Sequence, residues 1–300
     1  MRYRVGAWAA EYGPAGSSDL DPSKTEIDIG VELPATSWRE LGPDVEPAHD
    51  VIFLDGVRRV EANVWIEDGS GGDVLGLAAS YAAGAIRMGE RGELVAAEVG
   101  RGLFTSASAA EPIVTRHGTY GVVTTKGVSP EELWLGIQSQ MGIVEAEVAS
   151  RFSDADLIVV DGPLSPRKSP AVGYVKREHV EYLPDEVVAI KRDLSTGKRT
   201  PLFLLGGMHQ RFSWYLRLGP YRGSEGLVRC ELGSDRPVTD GIRMADITAA
   251  TLPRYASRPH KDKRAPENLY PIGGLERTLR HRLGDAELML RALRSAAGRG

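Results

Sequence analysis

Two stretches of this chain end a run of apolar residues on the same dipeptide. Val51 to Leu54 is followed by Asp55 and Gly56, and Leu157 to Val160 is followed by Asp161 and Gly162. An acid at the end of a buried strand is costly unless something pairs with it, and a metal ion is one such partner. Two carboxylates brought together at one sheet edge suit a hard divalent cation, Mg²⁺ or Mn²⁺, which takes oxygen ligands and keeps water. Such a cation stabilises displacement at phosphorus and helps deprotonate an attacking water. A strand followed by Asp-Gly is also an ordinary turn signal. The pairing of two such ends makes Asp55 and Asp161 the first candidates for a metal site.

A third carboxylate is expected from the helix before the second strand. Ser129, Pro130 and Glu132 supply an N-cap, an N1 proline and an N3 acid, so a helix runs from about Glu131 to Ser150. Leu133, Ile137, Met141, Val144 and Val148 form its apolar stripe. Glu145 and Glu147 flank that stripe, and Glu145 lies nearer its centre, beside Met141 and Trp134. Glu147 remains the alternative.

Cationic residues that would meet a phosphate are Lys176 and Arg177, downstream of Asp161, one as a point charge and the other as a fork. The densest basic run is Arg254 to Arg264, containing Arg254, Arg258, Lys261, Lys263 and Arg264, with Tyr255 and His260 among them. It reads either as a track for a nucleic-acid backbone or as a solvated loop. Tyr270, before Pro271, either reaches the site as a phenol or packs half-buried.

The surrounding elements set the fold class. Val60, Ala62, Val64 and Ile66 alternate with polar or larger residues as in a strand. The segment Asp68 to Gly72 is a hairpin signal. Val74 to Arg87 is rich in small residues and suits a strand or a helix. Glu93–Phe104, Tyr120–Thr125, Thr200–Gly206, Ser213–Leu218 and Gly226–Leu232 read as strands. Pro184–Leu194, Met244–Leu252, Leu275–Leu283 and Asp285–Ala297 read as helices. Thr25–Leu33 is a further candidate strand. Strand, helix, strand implies an α/β chain with a mixed sheet flanked by helices. Residues 1–50, rich in turn formers, read as an N-terminal extension on a domain spanning 51–300.

Other classes are disfavoured. The single cysteine, Cys230, precludes an internal disulfide or a cysteine zinc cluster. No HxH or HxxxH pair, Walker A loop, GxGxxG or GxSxG is present. No apolar run reaches the ~18 residues of a membrane span, and the N-terminus lacks the apolar core of a signal peptide. A cytoplasmic protein is expected. A net charge of −4 leaves nucleic acid open, because the distribution of charge matters more than its sum.

Taken in order, the strand ending at Asp55, the helix with Glu145, the strand DLIVVDGPL, the Gly173–Lys176 segment GYVK and the C-terminal NLYPIGGLERTLRH resemble the NurA nuclease family. The likeness spans about Val51 to Arg282. It implies a ribonuclease H-like fold and a Mn²⁺-dependent nuclease acting on DNA ends. It also implies dimers and a hexameric HerA-type ATPase as partner. Asp55, Glu145 and Asp161 would map to the metal-binding acids, and Tyr270 to a tyrosine near them. The chain departs from that pattern at Val57, where the family has Ser, and at Pro163. It departs again at Thr278, where the family has His; His281 follows three residues later. A protein that kept the fold as an inactive nucleic-acid-binding or assembly module is the alternative.

Overall fold

The computed structural model describes residues 3–6, 21–68, 72–164, 171–178, 180–207, 209–221, 223–258 and 260–297. Its strands, in chain order, are β1 (Tyr3–Gly6), β2 (Asp21–Pro22), β3 (Ile27–Asp28), β4 (Val51–Asp68), β5 (Gly72–Met88), β6 (Gly92–Thr105), β7 (Ile113–Thr115) and β8 (Gly118–Thr124). They continue with β9 (Leu157–Asp161), β10 (Val172–Val175), β11 (Val180–Glu181), β12 (Phe203–Leu205), β13 (Arg211–Arg217) and β14 (Leu227–Gly233). The helices are α1 (Pro130–Ala149), α2 (Asp185–Arg192), α3 (Val238–Thr251), α4 (Tyr270–Arg282) and α5 (Ala286–Ala297).

Twelve strands make one mixed sheet, in the order β3-β12-β13-β14-β10-β9-β4-β5-β6-β8-β7, with β1 also on β4. At its centre β4, β5 and β6 form an antiparallel meander, and β9 and β10 join beyond β4 in parallel. The central order β6-β5-β4-β9-β10 is that of a ribonuclease H-like sheet. Val51, Ile52, Phe53 and Leu54 are fully buried because helices cover both faces. Ile52 and Leu54 pack in the cluster with Val148 and Ala149 of α1. Val51 and Phe53 pack in the cluster with Ile272 of α4.

The same two helices explain the small residues of β5. Ala78, Ala79, Ala82, Ala83 and Ala85 are buried, and a Cβ on Gly84 would lie 2.9 Å from Leu279 Cδ2. Close helix packing on both faces selects alanine and glycine here, so the stretch left open between strand and helix is a strand. Helix α1 starts as expected: the Ser129 hydroxyl accepts from the Glu132 N–H, and the Glu132 carboxylate accepts from the Ser129 N–H.

Two expectations are corrected. Gly56 does not end a strand; β4 runs unbroken through Asp55-Gly56, with a bulge only between Val60 and Ala62. Of Thr25–Leu33, only Ile27–Asp28 is extended and paired, as the edge strand β3 on β12. The segment before β4 is held to the rest of the chain by the fully engaged Arg199. Its guanidinium forms two bonds to Glu32, at 2.8 and 3.0 Å, and one to Asp246 at 2.7 Å. Of the hairpin Asp68–Gly72, residues 69–71 lie outside the described residues, as do 165–170 of the loop after Asp161.

Candidate active site

The site forms where β4 loses a neighbour. The parallel register of β4 and β9 ends at Leu54 opposite Val160, so the next residues, Asp55 and Asp161, stand side by side. Beyond them β9 stops, and β1 reaches the same edge of β4 only from Asn63 to Ile66. Among the described residues no strand pairs with that edge between Leu54 and Asn63. Alternation along both strands points Asp55 and Asp161 to the α4 face, with Phe53 and Val159. Gly162 turns the chain with φ +97°, a conformation that favours glycine, and its N–H donates to the Tyr174 carbonyl at 2.9 Å. Here Asp-Gly is the turn expected.

Glu145 arrives from the other face, on α1. Its Oε1 occupies the space that a Cβ on Gly56 would need. The glycine therefore serves a close approach: it lets a carboxylate from the α1 side sink toward the sheet at the gap. Glu147 is exposed. The three acids Asp55, Glu145 and Asp161 thus border one opening from two faces.

Their electrostatics are those of crowded, poorly solvated anions. Burial raises the Asp55 carboxyl well above the usual range, and repulsion from Asp161 adds to it. Burial, with Asp161 again, pushes Glu145 to about 7, against attraction from Arg58. Burial also raises Asp161, opposed by Lys176. The Lys176 ammonium donates to Asp161 Oδ2 at 2.7 Å and to Asn268 Oδ1 at 2.9 Å. Asn268, fully buried, donates in turn to Asp262 Oδ2 at 2.5 Å.

Among the described residues no three His, Cys, Asp or Glu side chains already close around one point. Asp55 and Asp161 lie on the α4 face and Glu145 on the α1 face, against Gly56. The donor chemistry nonetheless fits Mn²⁺ or Mg²⁺: all are carboxylate oxygens, and each carries a raised pKa that a divalent cation would relieve.

The other expected residues are dispersed. Arg177 is exposed beside Lys176. Tyr270 opens α4, half exposed, its ring 5.6 Å from that of Tyr255, and among the described residues it forms no hydrogen bond to the three acids. Arg254 lies over the Tyr255 ring and donates to the Ala48 carbonyl at 2.5 Å. Arg264 is paired with Glu276 at 2.8 Å and with Asp262 at 3.5 Å. Arg258, Lys261 and Lys263 are exposed. Val57 is buried against Leu275, Leu279 and Leu283, so packing on α4 sets its identity. Thr278 and His281 are exposed on α4.

Sequence reasoning missed Glu276, which repels both Asp55 and Asp161. Burial would raise Glu276 too, but its pairs with Arg264 and Arg280 hold it below the usual range. Its position right after Leu275, at the edge of the leucine stripe, was the available signal. Arg58, near Glu145, was missed as well.

No protein-family model matches the chain, and no curated protein matches it. Among solved structures it is similar to the NurA nuclease from Sulfolobus solfataricus, with a TM-score of 0.53 and 11% identity. The match covers 87% of this chain and 88% of that one. At this identity the likeness is one of fold: a NurA-like, ribonuclease H-like sheet.

Proposed function

We propose that this chain is a divalent-metal-dependent nuclease that hydrolyses DNA phosphodiesters. The observation that carries the reading is Asp55 beside Asp161 where the β4–β9 register ends, with Glu145 of α1 against the adjoining Gly56, at an opening in a NurA-like sheet. Asp55, Glu145 and Asp161 would hold Mn²⁺ or Mg²⁺. A bound cation supplies a polarised phosphoryl oxygen and a more acidic water. Lys176 fixes Asp161 and places a positive charge beside the phosphate. Exposed Arg177, Arg258, Lys261 and Lys263 contribute sequence-independent attraction to the backbone. Tyr270, exposed at the start of α4, offers a phenol to the strand. The motif resemblance to the NurA family, from Asp55 through Glu145 and Asp161 to Tyr270, would further imply DNA end processing as a homodimer with a HerA-type hexameric ATPase. Among the described residues no helix is long and apolar enough to cross a membrane.

One observation favours the alternative of a non-catalytic module. Lys176 forms a 2.7 Å ion pair with Asp161, a charge that would compete with a cation at that carboxylate. End-labelled single- and double-stranded DNA incubated with purified protein and Mn²⁺ separates the two. Cleavage that stops with EDTA and with Asp55→Ala or Asp161→Ala supports the nuclease. Full activity in either variant would overturn the site, and DNA binding without cleavage would leave the module.

A further inference from the structure

The α1 side of the opening carries chemistry that holding a cation does not use. Arg58 lies three positions beyond Asp55 on β4, about 10 Å along the strand, and alternation turns it to the opposite face, toward α1. Its Cζ sits 4.6 Å from the centroid of the Trp134 ring, and Nη1 lies 3.9 Å from Met141 Sδ. An indole face and a thioether are weak partners for a guanidinium. The Arg58 Nε is buried and has no hydrogen-bond partner among the described residues. A buried donor beside such weak partners suits an anionic acceptor brought by a ligand.

Trp134, Met141 and Glu145 are spaced seven and four residues apart, so they follow one side of α1. That row leads from solvent to the acid centre, with Arg58 lying across its outer half. Trp134 keeps 37% of its surface exposed, and Leu135 beside it keeps 62%. A planar cation with free donors next to an exposed indole matches the two parts of a single-stranded nucleotide: a phosphate for the fork, a base for the ring.

We propose that Arg58 and Trp134 form a subsite for single-stranded nucleic acid, with Arg58 holding a backbone phosphate and Trp134 stacking on the adjoining base. Its placement next to the scissile phosphodiester rests on the nuclease reading; strand binding itself does not. The subsite would favour a strand end or an unpaired segment, because a base inside a duplex has no free face to offer.

The test is binding of fluorescein-labelled oligothymidylate to the full chain in EDTA, read by anisotropy, with oligouridylate as a second arm to separate DNA from RNA. Arg58→Met and Trp134→Ala should each weaken binding about tenfold, the scale of one stacked base or one phosphate contact. Arg58→Met should also reduce the salt dependence by about one counterion, and Arg58→Lys should keep it. Trp134→Phe should retain affinity but lose the indole quenching that accompanies binding. Should Arg58→Met fail to fold, Trp134→Ala still reads the loss of affinity, and Arg58→Gln reads the loss of one counterion. Unchanged affinity in Arg58→Met and Trp134→Ala, or no binding by the wild type, overturns the subsite. If Arg58→Met alters only Mn²⁺ affinity, Arg58 is a counter-ion to Glu145, which overturns it equally. The expected binding pattern without any cleavage in Mn²⁺ keeps the subsite and removes the nuclease; cleavage with indifferent binding does the reverse.

Discussion

Glu145 and Gly56 share one space: the carboxylate fills the volume that a Cβ on Gly56 would need, and Met141 Cγ lies 3.0 Å from the same point. Gly56→Ala should therefore drive Glu145 out of the opening while leaving the fold intact. Alanine is better than glycine in a strand by roughly 0.5–1 kcal/mol, which offsets part of the crowding. The expected result is a melting temperature within a few degrees of wild type, with Mn²⁺ affinity and DNA cleavage reduced at least tenfold. Calorimetric Mn²⁺ titration beside a melting curve checks it. Wild-type Mn²⁺ affinity in this variant would show that Glu145 is no ligand.

Asp55 stands at a cost to the metal-free fold. Its carboxyl is raised well above the usual range by burial and by Asp161. Below the ordinary carboxylate range both folded and unfolded chains bind the proton, and no penalty exists. As pH rises past that range the unfolded chain ionises freely while the folded chain resists, so stability falls until the folded carboxyl has ionised. Asp55→Asn should thus stabilise the EDTA-treated protein at neutral pH by about 1–2 kcal/mol, the usual scale for relieving a functional site, while abolishing cleavage. A lower melting temperature in this variant would contradict the electrostatic account.

Glu145 sets a narrower pH window. Burial and Asp161 lift it to about 7. The metal-free protein should lose stability from pH 5 to 8 and level off above, by roughly 3 kcal/mol at most from this group. Glu145→Gln should flatten that part of the slope, and Mn²⁺ should flatten it in the wild type by holding the ionised form. Urea melts at several pH values, with and without Mn²⁺, measure all three. Equal slopes in wild type and Glu145→Gln would remove Glu145 as the source.

These effects mark what could be read in advance. The capping box at Ser129 and Glu132 was legible because it is closed by residues three apart. The Asp161-Gly162 turn was legible for the same reason, and its φ of +97° is a local property. The identical dipeptide at Asp55 is not a turn, because Gly56 answers to Glu145 on a distant helix. The alanines of β5 carried no clear period because helices press on both faces, so neither face is polar. Glu276 stayed hidden because only the packing of α4 on β4 brings it near the aspartates. Tyr270 was placed by sequence order alone, and its ring meets Tyr255 rather than an acid.

Lys176 is the built-in cation of the site, and its removal gives the last prediction. Its ammonium holds Asp161 at 2.7 Å and Asn268 at 2.9 Å, with the lysine and aspartate side chains about one-fifth exposed, at 19% and 21%. Lys176→Met keeps the apolar stem but leaves Asp161 unpaired beside Asp55 and strips the fully buried Asn268 oxygen of its donor. Losing one partner of a largely buried, charge-assisted bond costs about 2 kcal/mol, or several degrees of melting temperature for a chain of this size. That loss should appear in EDTA and shrink when millimolar Mn²⁺ is added, because a divalent cation between the aspartates replaces the missing charge. Lys176→Arg should not restore the wild-type melt, since its planar fork does not match the single point at which Asp161 and Asn268 converge. Differential scanning calorimetry of the three proteins, with EDTA and with Mn²⁺, reads each term. An unchanged melt in Lys176→Met would reduce the pair to a screened contact. A Mn²⁺ stabilisation no greater than that of the wild type would mean that Asp55 and Asp161 do not share a cation.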